Sequence, residues 1–128
     1  MNFVHLNVHS HYSKGWGLAT AEELCKRACD YHMKHIALTD TNSLYDMVSF
    51  IKAAKQYGLK PIVGSELETK DTRAVLLVKD RDGYANLCQI ISDYHCDQGF
   101  DLIHALRERR SGLVVFSDNF TLLKALKR

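Results

Sequence analysis

Apolar and polar positions along the chain switch between two periods, and each switch marks a change of element. Phe3 to Val8 (FVHLNV) alternates with period two and is rich in β-forming residues, which predicts a first strand. Thr20-Ala-Glu-Glu23 is a capping box: the Thr20 hydroxyl and the Glu23 carboxylate can each satisfy a free backbone donor of a helix's first turn. Behind it Ala21, Leu24, Cys25, Ala28 and Cys29 fall at i, i+3, i+4, i+7 and i+8. They form one apolar stripe on a helix of about three turns. His35 to Thr39 (HIALT) is a short apolar run and predicts a buried strand. Ser43 is placed to cap a second helix, with Leu44, Met47, Val48 and Ile51 on its inner face and Gly58 ending it in the left-handed region.

The only proline, Pro61, opens a third strand, KPIVGSE, and a turn at Lys70 to Thr72 leads into a fourth, AVLLVKD. DGYANLCQIISDYH reads as a helix capped by Asp82, and Asp101 to Arg110 as another after a break at Gly99. Ser111-Gly112 punctuates before the strand LVVFS, and Thr121 to Lys127 predicts a last helix. Strands separated by helices of this length imply βαβ units, a mainly parallel sheet and helices outside it. Residues 1–128 therefore read as one α/β domain, without repeats or linkers. In such folds chemistry gathers at the C-terminal ends of the strands. His9, Asp40 and Glu66 all fall there.

Composition changes this picture little: 128 residues, 46% hydrophobic, 25% charged, formal net charge +2. So small a charge, with mixed signs, argues against a nucleic-acid footprint, and the basic cluster Arg107 to Arg110 reads as a solvated helix end. No stretch approaches the ~20 apolar residues of a membrane helix, and the N-terminus lacks an apolar signal core. A cytoplasmic protein without membrane contact is expected. Cys25, Cys29, Cys88 and Cys96 form no CxxC pair and read as free thiols. A zinc site on His95 and Cys96 lacks two further ligands.

Four blocks carry a resemblance. "FVHLNVHSHYS", "HIALTDTNSLY", "GLKPIVGSELE" and "AVLLVKDRDGYANLCQII" resemble, in order and spacing, the start of the PHP (polymerase and histidinol phosphatase) domain. The form they are similar to stands at the N-terminus of bacterial DNA polymerase III alpha subunits, and "GLVVFSDN" resembles the strand that follows. The resemblance implies a distorted (β/α)7 barrel. The chain is then an N-terminal part of a PHP domain, without the remainder of the barrel or the polymerase modules.

Active members hold divalent metals on His, Asp and Glu and hydrolyse phosphoesters, the metals activating water and offsetting phosphate charge. Aligned through Ser13, the family's His-x-His pair falls on Asn7 and His9. The next ligand falls near Gly15 or Trp16, and neither can bind a metal. The histidine of the Thr-Asp-His signature is replaced at Thr41, after Thr39 and Asp40. The glutamate of the next block is kept as Glu66. The histidine opening the following strand falls on Arg73. His9 and Glu66 are thus the remnant metal ligands that the resemblance implies, and the site reads as degenerate. Each also has a plainer role: His9 can hydrogen-bond Asp40 or Glu66, and Asp40 can cap the turn at 41–44. His5 reads as a packed or sheet-surface residue, His11 as a loop residue, and His32, His35, His95 and His104 as surface. Trp16, between two glycines, is placed as a lid over the strand ends or an anchor for a partner.

Three readings follow. The first is a non-catalytic PHP module of a DNA polymerase III alpha-like subunit, itself a DNA-directed DNA polymerase. It implies DNA, a proofreading exonuclease and other polymerase III subunits as partners, and no cofactor in this chain. The second is a metal-dependent phosphoesterase or 3′–5′ proofreading nuclease using zinc, manganese or magnesium in the full-length protein. The third is a stand-alone α/β binding domain, though no Gly-rich phosphate loop is present. An incomplete barrel would leave the edges at FVHLNV and LVVFS unpaired, which predicts a homodimer unless the final helix, FTLLKALKR, folds over the gap.

Overall fold

The computed structural model describes residues 2–127. Its elements run α1 (Ala21–Asp30), β1 (His35–Leu38), α2 (Met47–Gln56), β2 (Lys60–Glu68), β3 (Arg73–Val78), α3 (Arg81–Cys96), α4 (Leu102–Arg109), β4 (Leu113–Phe116) and α5 (Phe120–Leu126). The chain is an α/β fold around one sheet of order β1-β2-β3-β4. β1 and β2 pair in parallel across α2, as expected of a βαβ unit. The pairings β2–β3 and β3–β4 are antiparallel, so the sheet is mixed. The reason is local: Thr69 and Thr72 close a tight turn by exchanging backbone and hydroxyl bonds. A connection that short can join only antiparallel neighbours.

Two apolar clusters flank the sheet. Ala21, Cys25 and Ala28 of α1 pack with Ile36, Leu38, Phe50 and Ala54. Leu67, Leu76, Leu87, Ile90, Leu106 and Leu122 form the second, under α3, α4 and α5. The Thr20–Glu23 capping box is present in both directions, and Gly58 ends α2 at φ 69°.

Several expectations fail for physical reasons. Phe3 to Val8 is not a strand. Only Val8 joins the sheet region, accepting from Thr39 N–H at 2.8 Å, while its own N–H goes to the Thr39 hydroxyl instead of a neighbouring strand. Ser43 does not cap α2, which starts later, at Met47 after Asp46. The buried face of α2 is Met47, Phe50, Ala53 and Ala54; Val48 and Ile51 point outward. α3 is capped by Asp80 rather than Asp82, because Asp80 Oδ1 accepts from Gly83 N–H at 2.9 Å. Asp82 lies inside the first turn.

Candidate functional site

The sheet brings the three strand-end residues of the sequence together. β2 runs past the end of β1: Glu66 N–H donates to Asp40 O, Asn42 N–H to Glu66 O, and Thr41 pairs with Glu66 as a parallel bridge. This places Glu66 beside the loop that follows Val8. In that loop, residues 10–17 fold back on themselves. Gly17 sits so close to Ser10 that a Cβ would lie 1.9 Å from the Ser10 carbonyl oxygen.

Asp40 is buried and anchors this loop. Its carboxylate accepts from Ser10 N–H (2.6 Å), Ser10 Oγ (2.7 Å) and Ser13 Oγ (2.8 Å). It does not cap the turn at 41–44; the loop side chains that reach it use both its oxygens. Ser13, also buried, is the hub that sequence reasoning missed. Its hydroxyl proton goes to Asp40, and its oxygen accepts from Thr41 N–H at 2.9 Å. A serine in a polar loop carries no periodic signal, so nothing in the sequence marked it beyond its place in the motif.

His9 bonds Glu66, one of the two partners expected for it. His9 Nδ1 lies 2.8 Å from Ser13 Oγ and 3.4 Å from Thr41 Oγ1. His9 Nε2 lies 2.6 Å from Glu66 Oε2 and 3.1 Å from Asn7 Oδ1, both acceptors, so Nε2–H donates. Asn7 Oδ1 also accepts from Thr39 Oγ1 at 2.7 Å. Trp16 stacks on the His9 ring, with centroids 5.7 Å apart and planes at 24°. It is 60% exposed, a partial cover over the strand ends.

Arg73 closes the other side. Its Nε is 3.5 Å from Glu66 Oε1, and its Nη2 donates to Asp118 at 2.7 Å. The hydrogen bond to Asp118, that residue's charge and then the charge of Glu66 push the guanidinium further above its ordinary range. The Ser117 hydroxyl bonds the Arg73 carbonyl oxygen, holding the end of β4 to the start of β3. A cleft of about 450 Å³ opens here, lined by His9, Trp16, Glu66, Arg73, Phe116 and Asp118 among others.

The polar atoms of this cluster bond one another. Both His9 nitrogens lie within hydrogen-bond distance of side chains of the cluster. Both Asp40 oxygens are engaged by the loop. A guanidinium lies against Glu66. Among the described residues no group of three or more His, Cys, Asp or Glu side chains could hold a metal. His5 and His11 stand apart from the cluster: His5 packs edge-on to Phe3, and His11 lies beside Tyr12. His95 is exposed but not idle, since its Nε2–H donates to Asn42 O at 2.7 Å. Cys25, Cys29, Cys88 and Cys96 are free. No helix of the described residues is long and apolar enough to cross a membrane.

Known proteins resemble this chain. The DNA polymerase III subunit alpha of Buchnera aphidicola from Schizaphis graminum is 39% identical over 128 residues, covering 90% of this chain and 11% of that protein. The error-prone DNA polymerase of Anaeromyxobacter dehalogenans is 37% identical over 120 residues, covering 89% of this chain and 11% of its own length. Among solved structures, an amidohydrolase from Chromobacterium violaceum superposes with a TM-score of 0.54 at 24% identity, covering 71% of this chain and 34% of that one. That likeness concerns the fold alone. The chain thus spans about a tenth of the length of these curated relatives. The PHP domain model matches residues 5–125. The chain belongs to the PHP domain family, and it is homologous to the N-terminal region of DNA polymerase III alpha subunits.

Proposed function

We propose that the chain is the first part of the PHP module of a bacterial DNA polymerase III alpha-like subunit, and that its site is a metal-free polar clasp rather than a hydrolytic centre. The observation that carries this reading is the occupancy of Glu66. His9 bonds one carboxylate oxygen and Arg73 faces the other. A fixed guanidinium offers the positive charge that a metal would bring, but no vacant coordination position and no bound water to activate. The clasp ties the loop after Val8 to β2 and to the ends of β3 and β4. Its role would then be to hold the barrel mouth in shape.

The parent protein would be the DNA-directed DNA polymerase, a nucleotidyltransferase of DNA replication acting on DNA in the cytoplasm. This module would serve it as scaffold and as docking ground for a proofreading exonuclease or other polymerase III subunits. No cofactor belongs to this chain on that reading. On its own, the chain would pair with a second copy through the open edge beside β1. An apolar cavity of about 890 Å³ lies there, lined by Phe3, Val8, Leu24, Met33 and Ile36 among others.

The retention of His9 and Glu66 at 2.6 Å favours one rival, a metal-dependent phosphoesterase or 3′–5′ nuclease completed by ligands from outside this chain. Elemental analysis of the full-length protein separates the two. Less than a tenth of an equivalent of zinc or manganese is expected, to order of magnitude. Two or three equivalents, together with hydrolysis lost in His9→Ala, would establish the rival.

A further inference from the structure

Charges that are mixed along the chain separate in space. β1 and β2 start side by side at one end of the sheet, with Lys60 N–H donating to Lys34 O at 2.9 Å. β3 ends and β4 starts at that same end, where Lys79 N–H donates to Gly112 O at 2.8 Å. Short connections bring the ends of α1, α2 and α4 there too, and α5 joins them. Each of these helices carries cations in its last turn: Arg27, Lys55, Arg107 with Arg109, and Lys124. Carboxylates gather at the opposite end, around the clasp, where Glu22 and Glu23 open α1 and Asp40, Glu66 and Asp118 meet the loop after Val8. The net charge of +2 is a near-cancellation between two ends of opposite sign.

Helix dipoles account for part of this, since a cation in a last turn offsets the negative end. They do not account for Lys34, Lys60 and Lys79, which stand exposed at strand ends. Nor do they account for Arg81, which opens α3, where the dipole disfavours a cation. The patch is also held together. Arg107 Nε donates to Ala125 O at 3.3 Å and Arg110 Nη1 to Leu126 O at 2.8 Å, so the ends of α4 and α5 meet. Gly83 packs on Gly112, which brings the turn of Lys79 and Arg81 against the turn after Arg110. The carboxylates at this end are few and mostly engaged. Asp80 caps α3, Asp30 pairs with Lys26 at 3.0 Å, and Glu108 lies 3.5 Å from His104 Nε2.

We propose that this end of the sheet is a binding surface for the phosphate backbone of a nucleic acid, held without regard to sequence. The four strand ends alone span roughly 15 Å, and a duplex presents one negative charge per about 1.7 Å of its axis, so several cations meet phosphates at once. Arg81 and Arg109 are exposed and make no ion pair among the described residues, which leaves their guanidinium forks free for paired bonds to phosphate oxygens. The choice of a nucleic acid over an acidic protein rests on the reading of the parent as a DNA polymerase. The patch itself lies at the far end of the sheet from Glu66 and does not depend on the clasp.

Fluorescence anisotropy of a labelled DNA duplex of mixed sequence, titrated with the chain, tests the proposal. Saturable binding is expected at low salt. With about five phosphates neutralised, raising the salt from about 50 to 200 mM should weaken it several hundredfold. Lys79→Glu with Arg109→Glu should weaken it at least about tenfold. Lys14→Glu with Lys70→Glu makes the same change in net charge at the other end, in the loop after Val8 and the turn before β3, and should leave binding within about twofold. All four side chains are exposed, so the fold should tolerate their replacement. Poly-glutamate, with about one charge per 3.5 Å when extended, should bind at least about tenfold more weakly than the duplex. No binding at low salt overturns the proposal, and so do equal losses in the two double variants. Poly-glutamate bound as tightly as DNA also overturns it and makes the occupant an acidic protein. If the Lys79 and Arg109 variant does not fold, the salt dependence and the poly-glutamate comparison on the unaltered chain still decide. Metal found at Glu66 would leave all these outcomes untouched, so failure of the clasp and failure of this surface are seen separately.

Discussion

Arg73 stands against Glu66, its Nε 3.5 Å from Oε1, where the family resemblance places a metal-ligating histidine. On that resemblance a cation stands where a ligand would be. Arg73→His alone is expected to leave metal uptake low, since Asn7 and Thr41 remain. Asn7→His, Thr41→His and Arg73→His together should raise zinc affinity by at least about tenfold, because a zinc site needs three or more good donors. Competition against a chromophoric chelator reads the change. An unaltered chain that already holds zinc as tightly as the triple variant would sink the clasp.

The chain should not hydrolyse p-nitrophenyl phosphate or remove a DNA 3′ terminus above buffer, with or without added manganese. Steady-state assays at high protein concentration check this. Turnover that disappears in His9→Ala would reverse the reading of the site.

Asp40 should matter to folding more than Glu66. Its carboxylate is buried and accepts from Ser10 N–H, Ser10 Oγ and Ser13 Oγ. Asp40→Ala strands those donors and is expected to cost about 2–4 kcal/mol in urea unfolding. Gly83→Ala should cost a comparable ~2–4 kcal/mol by a different route. A Cβ there would lie 1.9 Å from the Gly112 carbonyl oxygen, backbone against backbone.

Cys25 gives a pH dependence. Burial and Asp46 raise its thiol from 9.0 to about 11, so the folded state favours the protonated form. The stability this supplies is whole below pH 9.0 and is lost as pH rises through about 11. The stability difference between the parent and Cys25→Ala should therefore change between those values, and chemical denaturation at a series of pH values measures it. At pH 8 a thiol reagent should find exposed Cys96 first and Cys25 last.

The face beside β1 should drive self-association. Phe3 and Tyr31 are exposed there, on the wall of the open apolar cavity. The last helix does not fill it: Leu122 is buried in the other cluster, and Phe120 points to solvent. Sedimentation equilibrium over about a hundredfold in concentration should show a dimer. A constant mass of one chain rules it out.

What the sequence made legible was mostly local. The Thr20–Glu23 box, the glycine after α2 and the strand HIALT each rest on residues within a few positions of one another, and each is present. His9, Asp40 and Glu66 do meet, although His9 follows a segment that is not a strand and Glu66 lies inside β2 rather than at its end. Long-range partners were not legible. Phe3 to Val8 has the pattern of a strand, but pattern does not supply a neighbour, and the Thr39 hydroxyl takes the bond a ladder would need. Val48 and Ile51 suit an inner helix face by spacing, yet the smaller Ala53 and Ala54 let α2 sit close to the sheet and turn them outward. By sequence the cap of α3 falls on Asp82, but Gly83 N–H bonds the side chain of Asp80 instead.

Strand order in the sheet is chain order, from Val8 beside Thr39 through to β4. Each strand is therefore laid against one already synthesised, and none must wait for a later segment to be inserted between neighbours. Such a topology suits growth from the ribosome, where N-terminal elements emerge first. A nascent chain stalled once β3 has cleared the exit tunnel should already protect the amides of β1 and β2 from hydrogen exchange, well before the helix that ends at Leu126 exists.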